Sequence, residues 1–407
     1  MRQMHRILLC VAPLLVAFGA RADVITDWNR IALPIVTSYS LAAPAYRDFA
    51  MLHVAMFECI NTIEPRYEPY RTKLEAQPGA SKDAAAAVAA ARVLARLHPD
   101  AAPKVDAELK QYLEKLADRA TGTAGIEAGS ALGEKVAALV WEMRANDGAS
   151  AADSYRPRTT PGRYVPTAPV TAPMWGGVTP FTMKSSAQFR PGPPLELKSA
   201  AWAANYNEVK QYGKDSKTRT PAQTETARFW LYTGPGTFFP LAQQLSAAKG
   251  LDVHENARLF AHLAMATSDA IGAVLEAKYH YEFWRPVTAI RNGDRDGNDK
   301  TAREATWEPI AATPMHPEYP CAHCIIAGSA GTVLLSVFGG GTLPEFSLST
   351  PTAPGVTHKW TRIEDYIQEP SDARVWSGIH YRFSTVVGTD MGRRIAAQAV
   401  KTTLKPL

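Results

Sequence analysis

Residues 256–284 read NARLFAHLAMATSDAIGAVLEAKYHYEFW, and this stretch decides the fold. Leu259, Leu263, Ile271 and Leu275 recur at helical spacing and point inward from one long helix. The small residues between them (Ala261, Ala264, Ala266, Ala270, Gly272, Ala273) permit close packing by neighbouring helices. Working outward, the same periodicity predicts helices over 46–63, 83–97, 105–116 and 126–143 on the N-terminal side. After the long helix it predicts 321–338 and 371–404, and before it 202–212 and 221–232. No segment sustains the period-two alternation of a strand and no repeat of 20–50 residues is present, so the expected fold is an all-α helical bundle.

Between the two helical groups, residues 157–194 hold nine of the chain's 30 prolines together with Trp175-Gly176-Gly177. Proline removes donors and fixes φ, so this segment is irregular, and Tyr164, Trp175, Phe181 and Phe189 suit it to lie on the helices as a cover. The extreme N-terminus reads differently. Arg2, His5 and Arg6 precede an apolar run over 7–18 and the small-x-small step Ala20-Arg21-Ala22, the pattern of an export leader cleaved after Ala22. That run is short for a membrane span, and a periplasmic or secreted protein is expected. The organisation expected is thus a leader over 1–22, a helical half over 23–150, a covering loop over 151–198 and an oxoanion-binding core over 199–407, with 23–407 one compact unit.

Removing the leader takes away three of the 44 basic residues and none of the 39 acidic ones, which lowers the formal charge from +5 to +2. With no basic run interleaved with aromatics, no nucleic-acid partner is expected. Cys59, Cys321 and Cys324 remain, and Cys321-Ala322-His323-Cys324 is spaced for a small disulfide in an oxidising compartment. A thioredoxin-like redox role lacks its strand-then-helix setting.

Chemistry concentrates in three stretches. Lys278 and Arg285 are seven apart, two helical turns, so both reach one pocket if Pro286 ends the helix after them. His323 stands three residues after Pro320, in the first turn of the following helix, where amides without intrahelical partners favour an anion. Arg374 and His380 are six apart, roughly 120° out of phase on a regular helix. They meet at one anion only if Arg374 reaches back from a helix start capped by Ser371 or Asp372, or if the helix bends near Gly378. Two arginines and a lysine supply charge for a tetrahedral oxoanion, and two histidines supply proton transfer or a bond to its central atom. His53 and His316 read as structural, and residues 292–299 as a polar turn in place of a calcium loop.

The ordered set resembles the superfamily of vanadium-dependent haloperoxidases and type 2 phosphatidic acid phosphatases, on the signature K-x6-R-P, P-S-G-H, S-R-x5-H-x3-D. The first block is intact as Lys278-x6-Arg285-Pro286. The second reads Pro320-Cys321-Ala322-His323, and the third Ala373-Arg374-x5-His380-x3-Ser384. The stretch 51–58, the Phe189-Arg190-Pro191 region and Glu282-Phe283-Trp284-Arg285-Pro286 are similar to the bacterial haloperoxidase-related branch. The resemblance implies Lys278, Arg285, Cys321, Ala322 and Arg374 as oxoanion contacts and His323 as acid or base. It implies His380 as the bond to vanadium in a peroxidase, with vanadate as cofactor and halide and peroxide as small-molecule substrates. With phosphate in the same site it implies a phosphomonoesterase whose nucleophile is His380. Loss of the Ser, Gly and Asp counterparts leaves open a third reading, a non-catalytic oxoanion-binding or structural protein. Ser384 brings no charge to His380, which leaves a backbone carbonyl or Asp390 to replace the family's aspartate. A free Cys321 thiol beside peroxide would oxidise, whereas a Cys321–Cys324 disulfide would not.

Overall fold

The computed structural model describes residues 23–39, 42–118 and 123–407; the expected leader lies outside the described residues. Among them, thirteen α-helices and one two-stranded sheet are present. The N-terminal group comprises α1 (Val24–Tyr39), α2 (Ala42–Ile63), α3 (Lys82–Leu97), α4 (Ala102–Ala117) and α5 (Ala124–Arg144). The second group holds α6 (Ala200–Lys210), α7 (Pro221–Phe229), α8 (Phe239–Lys249), α9 (Val253–Tyr281), α10 (Pro286–Arg291), α11 (Ala322–Phe338), α12 (Ile363–Trp376) and α13 (Arg382–Thr402).

Helix α9 is the axis of the molecule. A capping box starts it: the Asp252 carboxylate accepts from the amides of His254 and Glu255, and Glu255 reaches back to the Asp252 amide. It ends where Glu282 turns left-handed, with its N–H on the Lys278 carbonyl at 2.8 Å. Its apolar stretch is long enough to cross a membrane by length and composition, yet 94% of that window is buried in this protein. Helices α2, α11 and α13 pack on α9, and one apolar core runs from Val24 to Leu404. Residues 157–194 lie along α9 as irregular chain with two short 3-10 turns. They are tied down by Tyr164 N–H to the Glu282 carbonyl, an Arg190–Glu276 ion pair, and Asp269 accepting from the amides of Phe181 and Thr182.

The α11–α13 contact is the tightest. A Cβ on Gly392 would lie 2.1 Å from the Ile325 carbonyl oxygen, and one on Gly328 2.4 Å from that of Thr389. Both obstacles are backbone and cannot swing away. Gly392→Ala is therefore expected to destabilise the protein by about 1–3 kcal/mol, as overpacking does, read as a lowered midpoint in a denaturant melt.

The structure departs from the sequence reading at several joints. The expected single helix over 371–404 is two helices, α12 and α13. Ser371 and Asp372 lie inside α12, which starts at Ile363 and carries Pro370 within it. Pro286 begins α10 and does not end α9; Arg285 is the residue before that short helix. A hairpin absent from the reading, β1 (Phe346–Ser349) with β2 (Thr357–Trp360), packs Phe346, Leu348 and Trp360 into the core. Four-residue strands are too short to show an alternation.

Candidate active site

A second apolar cluster of Trp202, Tyr206, Phe283, Trp284, Trp307, Tyr319 and Tyr381 holds the loops that carry the polar residues. Phe283-Trp284 precedes Arg285, Tyr319 precedes Pro320, and Tyr381 follows His380. Aromatic anchoring beside Arg285, Pro320 and His380 fixes backbone that has no helix to define it.

The structure brings Lys278, Arg285, His323, Arg374 and His380 to one place. Lys278, Arg285, Arg374 and His380 are each at most 1% exposed. Lys278 Nζ donates to the carbonyls of Pro317 and Glu318, both at 2.8 Å. Arg285 donates through Nε to the His316 carbonyl, and its Nη1 lies 3.0 Å from His380 Nε2. Its Nη2 lies 3.0 Å from His316 Nδ1. Arg374 Nη1 donates to the Trp230 carbonyl at 3.1 Å, whereas its buried Nε has no partner. His323 lies in the first turn of α11, half-buried, with an enclosed Nε2 that also lacks a partner.

The six-residue separation of Arg374 and His380 is resolved by the chain itself. Gly378 takes φ +74°, the Gly378 amide bonds to the Val375 carbonyl, and the Ile379 amide bonds to that of Arg374. This is a Schellman stop, which glycine permits at no steric cost, and it folds His380 back over the end of α12.

His380 Nδ1 lies 2.7 Å from Glu318 Oε1, which also accepts the Tyr381 amide at 3.1 Å. Guanidinium only donates, so Nε2 facing Arg285 is the accepting, unprotonated nitrogen. Two residues that the sequence reading passed over are therefore in the site: Glu318, and His316, which it took as structural. Their signal was an acid and an imidazole between prolines in 314–320, a run without periodicity. Glu318 takes the place expected of a backbone carbonyl or Asp390. Asp390 instead pairs loosely with Arg394 at the surface, 3.9 Å away.

Cys321 and Cys324 are joined as a disulfide. Cys321 consequently has no thiol proton for an oxoanion, its sulfur accepts the Cys324 amide, and its own amide bonds to the Ser384 carbonyl. Its expected contact through a thiol is thus corrected: two sulfurs within reach oxidised to a bridge. Ala322 begins α11, and its position leaves its amide without an intrahelical acceptor. His53 is a core histidine, Nε2 3.0 Å from Asn29 Oδ1 among Phe49, Phe239 and Phe260. In 292–299, Asp296 caps a polar turn by accepting from Trp202 and Thr301, and no group of residues suited to a metal ion occurs among the described residues.

The electrostatics are unbalanced. Three cations meet one carboxylate. Burial lowers Lys278 well below the usual ammonium range, and Arg285 and Arg374 push it further down. Burial brings Arg285 to about 10 and Arg374 to about 9. Burial and the same cations hold His316, His323 and His380 neutral at physiological pH. Glu318 is pushed up to about 7 by burial, against the pull of Lys278 and Arg285. An anion in this site relieves the cation repulsion, and the unpartnered Arg374 Nε and His323 Nε2 can be satisfied by its oxygens.

Known proteins bear on this arrangement. Residues 258–407 match the family model of the VCPO second helical-bundle domain. Vanadium chloroperoxidase of Curvularia inaequalis is 24% identical over 399 residues, an alignment covering 77% of this chain and 65% of that protein, so the chain spans just under two thirds of that relative's length. The crystal structure of a bacterial vanadium-dependent iodoperoxidase superposes with a TM-score of 0.80 at 23% identity, covering 93% of this chain and 97% of the other. A holo-type bacterial vanadium-dependent chloroperoxidase does so with 0.70 at 16%, covering 94% and 93%. Residues 258–407 thus match the VCPO second helical-bundle domain, and the chain has the helical fold seen in the solved vanadium-dependent haloperoxidases.

Proposed function

We propose that this chain is an exported, vanadate-dependent haloperoxidase-like enzyme that uses hydrogen peroxide to oxidise halide. The observation that carries the reading is the buried surplus of cations, Lys278, Arg285 and Arg374 around one carboxylate, with His380 Nε2 unprotonated beside them. The residues fit vanadate: two guanidinium groups, an ammonium, helix-start amides at Ala322 and His323, and one unprotonated imidazole nitrogen whose present donor is Arg285. Bound vanadate supplies a Lewis acid that activates peroxide toward halide.

The chain's own contributions follow from the geometry. Lys278, Arg285 and Arg374 neutralise the oxoanion and fix its orientation, in a site dry enough for each charge to count. His380 offers Nε2 to the central atom. His323, neutral in the free site, takes up a proton at its enclosed and unpartnered Nε2 and returns it. The Cys321–Cys324 disulfide leaves no thiol next to peroxide and agrees with an oxidising compartment outside the cytoplasm.

Vanadate and phosphate share shape and charge, so the deciding experiment separates three outcomes. Vanadate-loaded protein that brominates a phenolic dye with peroxide supports the proposal. Hydrolysis of an aryl phosphate, inhibited by vanadate, replaces it with a phosphomonoesterase. Oxoanion binding with neither activity leaves a binding protein. Binding should raise the melting temperature, by about 2.7 kcal/mol of added stability at 100 times Kd.

Binding should also take up protons. Because the Lys278 pKa is depressed in the free site, an anion favours the ammonium form and raises that pKa. Affinity is then full below the depressed pKa and weakens as pH rises through it. Calorimetry in buffers of different ionisation enthalpy measures the uptake; alkaline binding with no proton taken up contradicts this assignment of Lys278.

A further inference from the structure

We propose that Glu318 is the residue that positions His380, holding its proton on Nδ1 so that Nε2 stays open toward the oxoanion; the inference rests on the oxoanion-site reading above. The related signature places an aspartate four residues after the histidine, and this chain has Ser384 there, buried and without charge. A carboxylate reaches the same imidazole from a different part of the chain. Glu318 arrives 62 residues upstream, on the segment that leads into α11, with Oε1 2.7 Å from Nδ1.

Its placement is over-determined. The Glu318 amide donates to the Phe283 carbonyl at 2.9 Å, its carbonyl accepts from Lys278 Nζ, and Oε1 also holds the Tyr381 amide. The carboxylate therefore grips both the imidazole and the backbone of the residue after it. On the far side of the ring Arg285 can only donate, so the two contacts specify one tautomer between them. A carboxylate behind a ligating imidazole also raises the basicity of its other nitrogen.

The first test uses ligand-free protein labelled with 15N at histidine, with His380→Ala to assign the signals. Wild type should show His380 protonated at Nδ1 and bare at Nε2; a proton at Nε2 overturns the proposal with no variant needed. In Glu318→Ala only Arg285 is left to favour the Nδ1–H form, so that preference should weaken measurably, and vanadate, which bonds to the imidazole, should bind ~10–100-fold more weakly. Phosphate, held by charge alone, should bind no more weakly. Adding Ser384→Asp to Glu318→Ala should restore the tautomer and most of the vanadate affinity. An unchanged tautomer in Glu318→Ala, or equal losses for both anions with no recovery from Ser384→Asp, would assign Glu318 to packing only. If wild type binds neither anion, the oxoanion reading fails while the spectrum still decides Glu318.

Discussion

His380→Ala is expected to lower turnover by ~10³-fold or more, the scale on which removing the group bonded to the reacting centre acts. His380 is the one imidazole whose Nε2 is unprotonated and faces the guanidinium of Arg285. Alanine removes that lone pair and one acceptor of Arg285 but leaves all three cations in place, so anion binding should survive in part while catalysis does not. The substitution also leaves Glu318 without the imidazole it contacts, a buried loss of about 1–3 kcal/mol. A thermal melt therefore accompanies the assay, so that loss of fold is not mistaken for loss of chemistry. Activity within tenfold of wild type in a folded variant would remove His380 from the reaction.

The second large effect concerns Arg374. Arg374→Ala should weaken binding of vanadate and of phosphate alike by ~10²–10³-fold, the effect of deleting one strong donor to a buried oxyanion. The loss is electrostatic as well as geometric, because Arg374 also depresses Lys278, His323 and His380. Removing it should raise all three pKa values and carry the proton uptake on binding to higher pH. Arg374→Lys keeps the charge but loses the fork, and belongs between the two. Titration of both variants by calorimetry checks the order; equal affinities for wild type and Arg374→Ala would place the anion elsewhere.

Helix α9 and the convergence of its end with two later stretches were legible because apolar periodicity and charge at helical spacing are local. Gly378 was legible as a bend for the same reason: a left-handed stop has a residue preference of its own. What stayed hidden depends on contacts across the fold. Glu318 lies in a proline run, and nothing local says that its carboxylate meets an imidazole 62 residues later. Pro370 inside α12 defeats the rule that proline ends a helix, and the start of α12 at Ile363 was lost with it. Cys321 and Cys324 were spaced for a bridge, but spacing alone could not tell a thiol from a disulfide.

The glycine-backed contact between α11 and α13 has a consequence for divergence. His323 rides on the start of one helix and His380 lies two residues before the other, while the Cys321 amide clasps the Ser384 carbonyl between them. A side chain gained at Gly328 or Gly392 would meet backbone of the other helix, so these two positions resist drift and preserve the close approach of the helices beside both imidazoles.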